Sequence, residues 1–398
     1  MGASFELRRP ADLPADEVLP DDDPELARLI RDEIAAGGPL TFARFIELAL
    51  YHPGHGYYAD VRPRAGRSGD FLTAAESHPI FGWALARQVA EVAERLGRPD
   101  RFVIREHGAG SGALAVAILE GLRLEDPALA ASVRYQPVET TERRTEAVAT
   151  RLEAAGLADR LEPAEGPVVG VVLANELLDA LPTHRVVGGP DGTLRELFVG
   201  LGPDGALADV VGEPSIPALA DRLEDEGIRL APGQRAEVCL ALAAWVAAAA
   251  ASLERGVLLL VDYGHPATDL YDPVRRRDGT LRAYVRHRVH ADPYRHLGRQ
   301  DLTAHVDLTA LERAANTAGL VPLGSTTQAE FLAGLGTGEL LAAFESDPAT
   351  DLQASLEARA ALRRMLDPAV SGRFRVVAYG RGIAPVPPLR GFGFRLAG

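Results

Sequence analysis

Three glycines follow an acid at a fixed step in Glu106-x-Gly108-x-Gly110-x-Gly112, and helical periodicity begins directly behind them. Glycine lacks a Cβ, so such a chain can turn tightly and let a ligand approach its backbone. A helix behind the turn leaves N–H donors and a positive dipole end free at its start. Read as Gly108-x-Gly110-x-x-Ala113, the stretch satisfies the dinucleotide-binding fingerprint. Glu139 follows Gly112 by 27 residues, somewhat beyond the usual distance of about 20 for an acid that receives both ribose hydroxyls. A second group, Asn175, Glu176 and Asp179, follows the apolar run Pro167–Ala174. A carboxylate at the tip of a buried strand is costly unless it is paired or wet, which singles out Glu176. Asp179 can equally serve a helix start.

These residues need strands that end where they stand. Phe102–Ile104 is a short run of strand formers, and Leu114, Ala117, Ile118 and Leu122 recur behind it at helical spacing. Arg134–Val138 reads as a second strand, Arg160–Glu162 as a short third, and Pro167–Ala174 as the buried fourth. Gly256–Val261, ending at Asp262, is the fifth; Val321–Ser325 and Phe374–Tyr379 are the sixth and seventh. Helices are expected over Pro24–Ala36, Phe42–Leu50, Glu142–Leu152, Ala236–Leu253 and Leu308–Ala318, with a helical stretch over Gln328–Met365. His184–Val187 and Leu194–Val199 flank a turn and read as a hairpin. In open α/β sheets ligands sit beyond the carboxyl ends of the strands, where both groups of candidates fall.

Composition narrows the function classes. The chain has 398 residues and a net charge of −14, which argues against a nucleic-acid partner. It contains no lysine, so a P-loop ATPase is excluded. One cysteine, Cys239, excludes internal disulfides and cysteine-based metal clusters. His52-x-x-His55 and His287-x-x-His290 lack a third ligand at a supporting spacing, so no metal is expected. The apolar stretch up to Leu253 reads as a core helix and not a membrane span. With no apolar signal segment at its start, the protein is expected to be cytoplasmic.

Glu106-x-Gly108-x-Gly110-x-Gly112 resembles the first motif of class I S-adenosylmethionine (SAM) methyltransferases, in which an acid at the strand tip suits the ammonium group of the ligand. The segments GPLTFARFIELALYHPGHGYY, GDFLTAAESHPIFG and ANELLDALP resemble the MidA-like methyltransferases, over roughly residues 25 to 380. That family includes a mitochondrial assembly factor that methylates an arginine of a complex I subunit. The resemblance implies SAM as cofactor and a class I, Rossmann-like α/β fold with a seven-stranded sheet whose last strand is antiparallel. It implies a helical N-terminal cap over 24–99; before it, the acidic composition of 1–23 reads as a flexible lead-in. The core would span 100–382, with substrate-side insertions near 183–235 and 265–304, followed by an irregular tail over 383–398. It implies cofactor contacts from Asp70 and Thr73, beside Glu106, Gly108, Gly110, Gly112, Glu139 and Asn175. Methyl transfer to an arginine of a protein partner is the expected activity, with Glu176 and Asp179 as carboxylates and His305 and Asp307 on the acceptor side. Asp262 is a weaker acceptor-side candidate. A small-molecule acceptor, a catalytically silent scaffold and an NAD-dependent oxidoreductase are the alternatives. Oligomeric state is not legible.

Overall fold

The computed structural model describes residues 19–59 and 73–395. Asp70 lies outside the described residues. The chain divides into two compact units. One gathers residues 73–178, 243–264 and 311–398; the other gathers residues 1–72, 179–242 and 265–310. The N-terminal region therefore contributes to both, with the helix Ile80–Arg95 in the first.

The first unit is built on a six-stranded sheet: β1 (Val103–His107), β2 (Arg134–Val138), β3 (Val168–Asn175), β4 (Leu253–Asp262), β5 (Val321–Thr327) and β6 (Arg375–Arg381). Their order across the sheet is β5-β6-β4-β3-β1-β2. β1 pairs in parallel with β2 and β3, and β3 with β4. β6, the last strand, runs antiparallel between β4 and β5, as expected. The expected third strand at Arg160–Glu162 is reduced to a 3-10 turn, Ala158–Arg160, and one parallel bridge between Tyr135 and Leu161. Pro163 follows two residues later with no N–H to extend a ladder. One apolar core joins the helices Ile80–Arg95 and Ala113–Glu125 to the sheet through Ile80, Phe81, Ile104, Ile118 and Val257.

In the second unit, His184–Gly188, Leu194–Leu201, Leu207–Gly212 and Arg235–Val238 form a four-stranded antiparallel sheet. Arg235–Val238 corrects the expected helix from Ala236: pairing with His184–Val187 overrides the helix preference of the alanines, and the helix begins at Ala241. The lead-in is tied down at its end, against the expectation of flexibility up to residue 23. Asp23 accepts from Glu25 N and Leu26 N and caps the helix Pro24–Gly37, while Asp22 accepts from Leu297 N at 3.0 Å. That helix and Phe42–Tyr51 bury Leu26, Ile30, Phe42 and Phe45 with Val199, Leu281 and Leu302.

Candidate active site

β1 delivers Glu106 and the glycine turn. The Glu106 side chain lies on the buried face of the strand, 2% exposed, and accepts a hydrogen bond from Tyr135 Oη at 2.6 Å. Burial pushes its carboxyl up to about 7, against the pull of that hydrogen bond, and the negative Glu139 and Glu76 add to the rise. Gly108 and Gly110 then adopt φ of 72° and 61°, a region that side chains rarely enter. A Cβ on Gly108 would strike Leu177 Cδ1 at 2.7 Å, whereas among the described residues a Cβ on Gly110 would meet only Gly108 O, at 3.9 Å. The backbone at Gly110 thus borders open space. Gly112 leads into the helix Ala113–Glu125.

β2 ends one residue before Glu139, whose Oε1 accepts from Gly110 N at 2.5 Å. Its Oε2 accepts from Arg144 Nε at 2.8 Å. A cavity of about 470 Å3 opens beside it, lined by Pro137, Val138, Leu161 and Pro163 among others. Ser111, inside the glycine turn, donates to Glu76 Oε1 and accepts from Arg151 Nη1 at 3.0 Å. Thr73 Oγ1 accepts from Glu76 N at 3.2 Å and caps the short helix Ala74–Ser77. Sequence reasoning gave no role to Tyr135, Arg144 or Glu76. Tyr135 could be reached only through the pairing of Ile104 with Tyr135, and Arg144 through its place five residues after Glu139 in the next helix.

β3 ends at Asn175, whose Oδ1 is buried with no hydrogen-bond partner among the described residues. Its Nδ2 donates to Glu176 Oε1 at 3.4 Å. Glu176 has φ 50°, a left-handed turn at the strand tip.

Asp179, His305 and Asp307 fall in the other unit. Asp179 sits in the 3-10 turn Leu178–Ala180, 6% exposed, and its carbonyl accepts from Ala304 N. The His305 ring stacks on His265, with centroids 5.3 Å apart. Asp307 Oδ1 accepts from Thr309 N and Ala310 N at the start of the helix Leu308–Thr317. The structure thus gives Asp307 a capping contact that the sequence reading had not assigned to it.

The model of a family described as S-adenosyl-L-methionine-dependent methyltransferases matches residues 84–326. The chain belongs to that family. This methyltransferase is 30% identical over 329 residues to the mitochondrial protein arginine methyltransferase NDUFAF7 homologue of Drosophila melanogaster, covering 74% of this chain and 71% of the relative. It is 27% identical over 340 residues to the mitochondrial NDUFAF7 of Danio rerio, with 77% and 75% covered. A superfamily member from Burkholderia thailandensis, solved bound to S-adenosyl-homocysteine, superposes with a TM-score of 0.82 at 34% identity, over 94% of this chain and 98% of that one. The cofactor is therefore SAM, and the NAD alternative is set aside. The expectation of a cytoplasmic protein is overturned, because the curated relatives are named mitochondrial.

The residues present fit the cofactor. Among the described residues the methyltransferase leaves open space at Gly110, a buried carboxylate at Glu106, a cavity beside Glu139 and an unused acceptor at Asn175 Oδ1. Glu106 suits an ammonium group, Glu139 a pair of hydroxyls, and the cavity an aromatic base.

Proposed function

We propose that this methyltransferase acts on an arginine side chain of a protein partner, with Glu176 as the carboxylate that holds the acceptor. The observation that carries the reading is the Glu176 carboxylate on a left-handed turn at the tip of a central strand, next to Leu177, which packs on the glycine turn. The names of the curated relatives, protein arginine methyltransferases, support the choice of acceptor.

SAM supplies a methyl group already activated as a sulfonium, so the protein needs only to position the acceptor and manage charge. Glu106, Gly108, Gly110, Gly112, Glu139 and Asn175 would hold the cofactor. Thr73 belongs to the same proposal through the segment it caps. An arginine acceptor stays protonated at neutral pH, because its pKa exceeds about 12. Delocalisation leaves little nucleophilic density on any one nitrogen. A carboxylate at Glu176 draws the positive charge toward the nitrogens it touches and leaves another free to attack; that nitrogen gives up its proton to an acceptor-side base as its bond to the methyl group forms and the bond from sulfur breaks. Asp179 is the second carboxylate of the proposal, and His305 and Asp307 are its further acceptor-side groups.

Glu176→Gln keeps size and hydrogen bonding but removes the charge. The single-turnover methylation rate should fall at least about a hundredfold. Affinity for S-adenosyl-homocysteine should stay within about threefold, since the charge is aimed at the acceptor. A near-wild-type rate would overturn the carboxylate role, and a large loss of affinity would move Glu176 into the cofactor site. Acid hydrolysis of the labelled product should release methylarginine; label on another residue would refute the acceptor class.

A further inference from the structure

Three consecutive amides leave the tip of β3, and the end of the neighbouring strand β4 receives all three. Glu176 N donates to Val261 O at 2.8 Å. Leu177 N and Leu178 N both donate to Asp262 Oδ2, at 3.1 and 2.7 Å. The other oxygen, Oδ1, accepts from Tyr263 N at 2.8 Å. Asp262 is 5% exposed. A carboxylate suits this place because it accepts several N–H groups at once and brings no donor of its own to satisfy.

The turn so held carries a glutamate at φ 50°. A residue with a Cβ costs about 1–2 kcal/mol there, and glycine avoids that cost. Such strain persists only where the surroundings over-determine it. Here the surroundings are the carbonyl of Val261 and the carboxylate of Asp262. The sequence suggested an acceptor-side place for Asp262; the geometry turns its carboxylate onto backbone amides instead.

We propose that Asp262 is a positioning residue for methyl transfer: by anchoring the amides of Leu177 and Leu178 it fixes the strained turn that presents Glu176. The proposal rests on the reading of Glu176 as the acceptor carboxylate. Without the anchor, the backbone at Glu176 relaxes toward negative φ and its Cα–Cβ bond points elsewhere. A misplacement of about 1 Å in a positioned group can cost about a hundredfold in rate.

The test uses the full-length enzyme, tritiated SAM and, as acceptor, protein extract from a host strain lacking the enzyme, with label counted in methylarginine. Asp262→Ala should lower the single-turnover rate about 30- to 100-fold. Affinity for S-adenosyl-homocysteine should stay within about threefold, because the loss falls on the acceptor side. Asp262→Asn retains an oxygen for the two amides but sets an NH2 group against Tyr263 N, so its rate should fall between wild type and Asp262→Ala, within about tenfold of wild type. In the Glu176→Gln background, Asp262→Ala should add less than about threefold, because the group it positions is already neutral. Losses that multiply in full across the two backgrounds would overturn the proposal. So would an Asn variant as slow as the Ala variant, or a loss confined to cofactor affinity. An unchanged rate in Glu176→Gln alone is a different result and removes the reading of Glu176 itself. If circular dichroism shows Asp262→Ala unfolded, the same cycle is run with Asp262→Ser, which lacks the reach to both amides.

Discussion

Burial sets the behaviour of Glu106, and its consequence is a pH dependence of definite sign. The carboxyl titrates at about 7 in the absence of ligand and is neutral below that. Pairing with an ammonium needs the anion. Affinity for S-adenosyl-homocysteine should therefore fall as pH drops through 7, by up to about tenfold per unit. Calorimetry at pH 6, 7 and 8 reads this slope, and Glu106→Gln should flatten it. A flat wild-type profile would remove Glu106 from the ammonium. The same shift acts on stability. A carboxyl whose folded value is raised from 4.5 to about 7 destabilises the fold as pH rises through that window. Glu106→Gln should therefore melt higher than wild type at pH 8 without ligand, by at most about 3 kcal/mol of stability. Gly110 makes a second residue-scale prediction. Gly110→Val puts a branched side chain at φ 61° where the backbone borders open space. The protein should keep its far-ultraviolet spectrum while S-adenosyl-homocysteine affinity falls at least about a hundredfold, because the ligand can no longer reach the backbone. Unchanged affinity would make the turn purely structural. The cluster itself was legible because glycine spacing is a local signal. Tyr135 and Arg144 were not, because their partners are set by strand pairing and helix direction.

Elements were legible in proportion to how local their causes are. β3 and β4 announce themselves as continuous apolar runs, since a strand covered on both faces needs them. Arg235–Val238 was hidden because it runs into the alanine-rich stretch that follows, which favours helix, and only the distant partner strand His184–Gly188 decides otherwise. The third strand was over-read for the converse reason: Arg160–Glu162 has a neighbour to pair with, but Pro163 stops the ladder. Asp307 shows how an acid in a promising place acquires a second explanation. Its cap on the helix Leu308–Thr317 predicts that Asp307→Ala lowers stability by about 1–2 kcal/mol, whereas Asp307→Ser restores part of it. Equilibrium urea unfolding measures this. If both variants methylate at the wild-type rate, the cap is the whole of its role; a rate loss that Ser does not recover would return Asp307 to the acceptor side.

At the scale of the whole molecule, the two units are interleaved along the chain, each drawing on three separate stretches. Composition could not reveal this. It bounded the class of protein, through charge and the absence of lysine, but the assignment of the N-terminal helices to different units depends on long-range packing. β6 completes the sheet by entering between β4 and β5, and its residues 375–381 come well after both partners in sequence. That insertion has a consequence for biosynthesis. While the ribosome is still making residues 328–374, β5 has no partner to pair with, and β4 exposes one edge. The sheet cannot close until residues 375–381 emerge. Contacts this distant in sequence are slow to form, and open strand edges invite pairing with other chains. A chain stopped after Gly372 should accumulate as protease-sensitive, aggregated material, whereas the full chain is resistant. Soluble, protease-resistant truncated protein would show that the first strands close without the last. The emergence of β6 thus sets the point in synthesis at which the sheet can close.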